Sequence, residues 1–255
     1  MMSETDGISI EGQNAVVIGG TSGIGLEIAR AFARNGADVV ATSRSEESVA
    51  EAAAELRDLG AETVEVTCNV RDPDSIATLR ETAEDALGDT DTLVTSQGSV
   101  ATTPVTEMTE EEWGQDIDVL LTGAFRAIKE FGAAMDEGSI VNISSMSAEQ
   151  SREARPSYVS AKAGLNGLTR ATAADLGPEV RVNAIAPGFV KTELAGPKLE
   201  DGSAFREGVD ERTPMERVAT PDEISGAALY LASDAASFTT GEIITIDGGY
   251  DRSSV

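Results

Sequence analysis

Short apolar runs alternate with amphipathic stretches from one end of the chain to the other. Residues 15–18 are uniformly apolar; after a glycine turn, Ile24, Ile28, Ala31 and Phe32 recur at helical spacing on one side. The rhythm repeats, with strands expected at 38–42, 63–67, 92–94, 139–143, 180–184 and 243–246. Helices are expected at 46–59, ended by Gly60, and at 72–87, ended by Gly88. Asp72-Pro73 fits a helix start, with a capping aspartate and proline at the first position. Two longer helices are expected over 109–135 and 156–176. Buried strands alternating with helices predict one α/β unit. It is a doubly wound parallel sheet of the Rossmann type, with about seven strands and helices on both faces. Ligands of such sheets sit beyond the carboxyl ends of the strands.

No Pro-, Gly- or Ser-rich linker divides the chain and no repeat is visible, so a single domain over 1–255 is expected. Only 193–213 breaks the pattern, being polar with Gly196, Pro197, Gly202 and Gly208. A mobile cover over a pocket suits it, and so does a plain surface excursion. No apolar run is long enough to span a bilayer, and Met1 to Glu11 is polar and acidic, unlike a signal peptide.

Charge changes the picture most. Asp and Glu total 45 against 19 Lys and Arg, a net charge of -26, and only four lysines occur: Lys129, Lys162, Lys191 and Lys198. Such a field repels polyanions, which argues against a nucleic-acid partner, and self-repulsion strains the folded state unless salt screens it. A cytoplasmic protein of a salt-in halophile is expected; an ordinary acidic cytoplasmic enzyme is the alternative. Histidine is absent, which excludes a Ser-His-Asp triad and a His-ligated metal. The lone Cys68 excludes an intrachain disulfide and reads as a small core residue, and no metal site is expected.

Two places carry chemistry. After the first strand, Gly19-Gly20-Thr21-Ser22-Gly23-Ile24-Gly25 makes a tight turn into a helix. Glycines let the backbone approach a pyrophosphate, and the helix N-terminus offers N–H groups and a positive dipole end. A dinucleotide is therefore expected on Gly19, Thr21, Ser22, Gly23, Ile24 and Gly25. At the end of the second strand an acid would bind the ribose 2′-hydroxyl, but Ser43 stands there, followed by Arg44, which can accommodate a 2′-phosphate. NADP(H) is favoured over NAD(H); Arg44 as a solvated surface charge is the alternative. The second place is Tyr158 and Lys162, four apart on one helix face. A fixed ammonium beside a phenol is expected to lower its pKa and make it a proton carrier for an alcohol oxygen.

These motifs, with Asn142-Ile143-Ser144-Ser145, Arg181-Val182-Asn183-Ala184-Ile185-Ala186-Pro187-Gly188 and the closing Thr240-Gly241 and Asp247-Gly248-Gly249, resemble the short-chain dehydrogenase/reductase family over about residues 8–250. The likeness is to its 3-oxoacyl-reductase-like and sugar-dehydrogenase-like members, here with a haloarchaeal charge balance. It implies Tyr158 as general acid in reduction and base in oxidation, and Lys162 as its tuner and a ribose ligand. Ser145, thirteen residues before the tyrosine, would hold the substrate oxygen. It implies further cofactor contacts from Asn69 and Val70 near adenine, and from Gly98, Pro187 and Gly188. The Val190 backbone and the Thr192 hydroxyl would meet the carboxamide. Family members are usually tetramers, sometimes dimers.

Three positions depart from the family pattern. Thr95-Ser96-Gln97-Gly98 replaces Asn-Asn-Ala-Gly, Asn69 replaces an aspartate, and Leu120 stands where the active-site asparagine is usual. In the family that asparagine holds a water by its main-chain carbonyl, which a leucine also supplies. The function expected is interconversion of a ketone and a secondary alcohol, on a 3-oxoacyl thioester or on a sugar or polyol. The alternative is a cofactor-binding regulatory or scaffold protein with weak or no turnover.

Overall fold

The computed structural model describes residues 8–251; the ends of the expected 1–255 domain and the start of the polar N-terminal stretch lie outside the described residues. Six parallel strands form one sheet in the order β2-β1-β3-β4-β5-β6. They are β1 (Asn14–Ile18), β2 (Asp38–Thr42), β3 (Thr92–Thr95), β4 (Gly138–Ile143), β5 (Val180–Pro187) and β6 (Ile243–Ile246). Strand order reverses between β1 and β3, and there the chain leaves the two carboxyl ends in opposite directions and opens a crevice.

The expected strand at 63–67 does not join the ladder. It runs extended beside edge strand β2, held where Val39 N–H donates to Glu62 O at 3.1 Å, Thr42 Oγ1 to Val66 O at 2.6 Å and Cys68 N–H to Ser43 O at 2.8 Å. These bonds are too sparse for a ladder, which is why the sheet has six strands and not seven.

Helices cover both faces. On one, Ile28 and Phe32 of α1 (Gly23–Arg34) meet Ile224 and Leu231 of α8 (Asp222–Ala232). On the other, Ile76 and Leu79 of α3 (Pro73–Leu87) pack with Ile128 and Phe131 of α5 (Gly123–Gly132). The first face also takes α2 (Glu46–Asp58) through Ala52 and Leu56. Helix α8 was not expected from the sequence. Asp72 caps α3 by accepting from Asp74 N–H, as its Asp-Pro start foretold. No helix among the described residues is long and apolar enough to cross a membrane.

The long helix expected at 109–135 is broken. Thr109 and Glu112 form a reciprocal cap at the start of α4 (Glu110–Ile117), and a π-helical turn, Asp118–Thr122, separates it from α5. Such wide turns are frequent at functional sites, and this one holds Leu120. Helix α6 (Pro156–Leu176) runs unbroken. The irregular segment contains a 3₁₀ stretch, Glu193–Leu199, interrupted at Gly196, and then α7 (Ala204–Arg212).

Candidate active site

The crevice at the carboxyl ends of the strands has a volume of about 960 Å³. Every residue expected to bind cofactor or act in catalysis lines it except Gly25. Gly25 lies buried just beneath, where a Cβ would come within 2.1 Å of Gly19 O. Gly19 has φ +76°, and a Cβ on it would strike the Ser96 backbone at 2.6 Å. Those two positions let the turn after β1 nest against the segment after β3.

The N-terminus of α1 is left open. Its cap residue Ser22 makes no side-chain capping bond, and no acid lies in its first turn. By contrast α2, α3 and α4 each have a capping side chain and an acid there. In so acidic a chain, this gap leaves N–H groups and the positive dipole end facing the crevice. Exposed Arg44 lines the same end. Asn69 takes the Arg71 N–H on its Oδ1 at 3.2 Å, which leaves its amide N–H groups for a ligand.

Across the crevice, Lys191 N–H donates to Ala219 O at 2.9 Å and Ala219 N–H to Phe189 O at 2.9 Å. In a parallel bridge of this kind the residue between the two bonds, Val190, keeps its own N–H and C=O free. These features fit a nicotinamide dinucleotide: a cradle that side chains would fill, an unfilled helix end, and an unused amide pair.

The two serines after β4 differ. Ser144 is committed to the fold, donating to Asn166 Oδ1 at 2.6 Å. Ser145 caps a short 3₁₀ turn, Met146–Ala148, accepting from Ser147 N–H at 3.1 Å, and its hydroxyl lies at the Tyr158 phenol. Lys162 is 5% exposed, and its Nζ donates to Ile143 O at 2.6 Å. Its Nζ lies 5.9 Å from the centre of the Tyr158 ring.

The expected lowering of the phenol by the amine is not found. Burial pushes the Tyr158 phenol up; Ser145, Arg155 and Arg152 pull it down, and Asp116 pushes it up. Burial also brings the Lys162 amine down to about 8. Desolvation opposes whichever form is charged, and here it acts on both groups. Cys68 is buried as expected, its thiol pushed up to about 11 by burial and so inert.

Each departure has a local account. Thr95 Oγ1 donates to Asn142 Oδ1 at 2.6 Å, and Asn142 Nδ2 donates to Thr169 Oγ1 at 3.0 Å, which ties β3, β4 and α6 beneath the site. Gln97 Nε2 donates to Val119 O at 3.3 Å, linking this segment to the π turn. The Leu120 side chain is 1% exposed and packs in that turn.

Among the lining groups that escaped sequence reasoning are Arg152, Arg155 and the aromatic pair Phe189 and Phe205. The Arg152-x-x-Arg155 spacing just before Tyr158 was the available clue. Asp116, 1% exposed, lies behind the site and accepts from Ser99, Ala101 and Ser157.

Residues 18–251 match the family described as enoyl-(acyl carrier protein) reductase (adh_short_C2). The chain is 39% identical over 247 residues to galactitol 2-dehydrogenase (L-tagatose-forming) of Cereibacter sphaeroides, covering 94% of this chain and 96% of that protein. It is 34% identical to the 3-oxoacyl-[acyl-carrier-protein] reductase FabG of Thermotoga maritima, over 94% and 98% of the two. A gluconate 5-dehydrogenase from Burkholderia cenocepacia J2315, solved in complex with NADP and tartrate, superposes with a TM-score of 0.92 at 31% identity, over 98% of this chain and 99% of that one. Glycine turn, paired Tyr158 and Lys162, and matches along nearly the whole chain lead to one conclusion: the protein belongs to the short-chain dehydrogenase/reductase family, NAD(P)-dependent oxidoreductases that interconvert alcohols and ketones.

Proposed function

We propose that the protein reduces a ketone to a secondary alcohol with NADPH, and runs the reverse with NADP, using Tyr158 as proton carrier. The observation that carries this is the convergence of Ser145, Tyr158 and Lys162 on a crevice whose far end is the open N-terminus of α1. When bound, the reduced nicotinamide supplies the hydride that makes the new C–H bond. Ser145 donates to the substrate oxygen and keeps it beside Tyr158. The Tyr158 phenol then gives its proton to that oxygen as C=O becomes C–OH. A phenol at its ordinary value is already protonated at neutral pH, the state a donor needs, and burial pushes this one further in the same direction. With one N–H on Ile143 O, Lys162 has two more for the nicotinamide ribose hydroxyls.

Exposed Arg44, with no acid at Ser43, supports NADP(H) over NAD(H). Named relatives act on polyols, sugar acids and 3-oxoacyl carriers, and either a 3-oxoacyl thioester or a sugar-type substrate suits the site. The 193–213 segment serves as a lid: Phe205 packs edge-on to Phe189 at 5.7 Å, and Leu194 reaches toward Gly98.

The chain forms a homotetramer or homodimer in the cytoplasm of a halophile. Trp113 on α4 and Phe125 on α5 are 39% and 48% exposed, and β6 is an apolar edge strand. The deciding experiment is NADPH and NADH consumption across a panel of ketones at molar KCl. Faster turnover with NADPH on at least one ketone is expected; NADPH binding without oxidation by any ketone would overturn the proposal.

A further inference from the structure

Cations are scarce in this chain, 19 against 45 acids, and several arginines are spent on acids. Arg30 pairs with Glu27 and Glu55, Arg80 with Glu84 and Glu130, and Arg217 with Glu223. Arg152 and Arg155 differ. Both are half-buried in the crevice beside Tyr158, and neither has a carboxylate partner among the described residues.

Arg152 is held in a fixed pose. Its Nε donates to Ser147 Oγ at 3.2 Å and its Nη2 to Gln150 Oε1 at 3.1 Å. The guanidinium carbon Cζ sits 4.7 Å from the centre of the Phe189 ring. Its Nη1 has no partner among the described residues, so the outer edge of the fork is unspent.

We propose that Arg152, with Arg155 beside it, receives the carboxylate of the substrate, and that the enzyme selects oxo acids over neutral ketoses and thioesters. This rests on the oxidoreductase function proposed above and names its substrate class. The planar guanidinium fork matches a carboxylate, and the charge-assisted pair is strong where water is excluded. The net charge of -26 repels anions over the surface as a whole, so an anionic substrate needs a local positive site, as the cofactor phosphates do. The crevice has acids too, Glu153 and Glu193, but both are exposed at its rim. Asp116, the acid nearest behind Tyr158, is already filled by three donors. Both guanidiniums line the same crevice as the Tyr158 phenol, so a carboxylate on them and a carbonyl at the phenol share one cavity.

The test compares 5-keto-D-gluconate, D-tagatose and acetoacetyl-N-acetylcysteamine as substrates, with NADPH at fixed KCl, for the wild type and Arg152→Gln. D-gluconate binding is measured alongside by calorimetry. The wild type is expected to favour the oxo acid in kcat/KM by about tenfold or more over both others. Arg152→Gln should lose at least about tenfold more on the oxo acid than on D-tagatose, mainly in KM, and should weaken D-gluconate binding. A wild type preferring D-tagatose or the thioester, or an Arg152→Gln loss equal on all three, would overturn the carboxylate site and leave the oxidoreductase function standing. D-gluconate binding that depends on Arg152, with no substrate oxidising NADPH, would uphold the carboxylate site and overturn the oxidoreductase function.

Discussion

Asp116 accepts the Ser157 hydroxyl at 2.6 Å, through the same Oδ2 that takes the Ala101 N–H at 3.0 Å. Its Oδ1 accepts the Ser99 hydroxyl at 2.7 Å. One buried carboxylate therefore fastens the segment after β3, which carries Gly98, to the residue preceding Tyr158. The crevice wall at Gly98 and the proposed proton donor Tyr158 are set against each other through this group. Asp116→Ala leaves three donors unmet and should cost about 2–4 kcal/mol of stability, read by denaturant melts. Asp116→Asn keeps the shape and removes a charge that holds the Tyr158 phenol up. Its basic limb in the pH profile should move to lower pH; an unmoved limb would show that Asp116 braces the fold only.

Lys162 gives a pH dependence whose sign is fixed. The folded amine sits at about 8, the unfolded one near 10.4. Between these values the unfolded chain binds more protons, so stability rises with pH; below about 8 the burial cost is present in full. Cys68, pushed up to about 11, acts with the opposite sign in an overlapping window. The informative quantity is the stability of the wild type minus that of Lys162→Met. It should climb from pH 8 to 10, and a flat difference would contradict a buried amine on Ile143.

Most of the architecture was legible because the strands are apolar on both sides and the helices have one apolar face. Ile28 and Phe32 announced α1, and Asp72-Pro73 announced α3. The strand at 63–67 was misjudged because alternation reports a half-buried extended segment, not its hydrogen bonds, and here only isolated bonds join it to β2. The break at 118–122 was invisible because a π turn inserts one residue per turn without altering composition. In the site, Ser145 was separated from Ser144 only by the spacing to Tyr158 that the family resemblance implies; that Ser144 is tied to Asn166 is a contact the spacing does not report. The phenol's direction of shift was missed because it depends on burial, which one-dimensional spacing does not report. Arg152 was missed because its pose comes from Ser147, Gln150 and Phe189, which only the fold assembles.

Arg44 sets the cofactor preference in the proposed function. Arg44→Ala should weaken NADPH binding by about tenfold and alter NADH far less, as fluorescence titration would report. Equal losses for both cofactors would assign Arg44 a general role and remove the basis for NADP(H).

Salt should govern stability. At a net charge of -26, self-repulsion falls as the screening length shrinks from about 10 Å at 0.1 M to about 3 Å at 1 M. Tm should rise steeply with KCl across that range, and dialysis into dilute buffer should unfold the protein. Full activity and an unchanged Tm without salt would rule out halophilic adaptation.

The most direct measurement is NADPH-dependent ketone reduction by Tyr158→Phe, with NADPH affinity determined on the same sample. The ring stays and only the proton donor is lost, so kcat should fall by about a hundredfold or more with the NADPH Kd nearly unchanged. Wild-type turnover by Tyr158→Phe would mean that the proton reaches the substrate by another route, and the chemistry assigned to this crevice would be wrong.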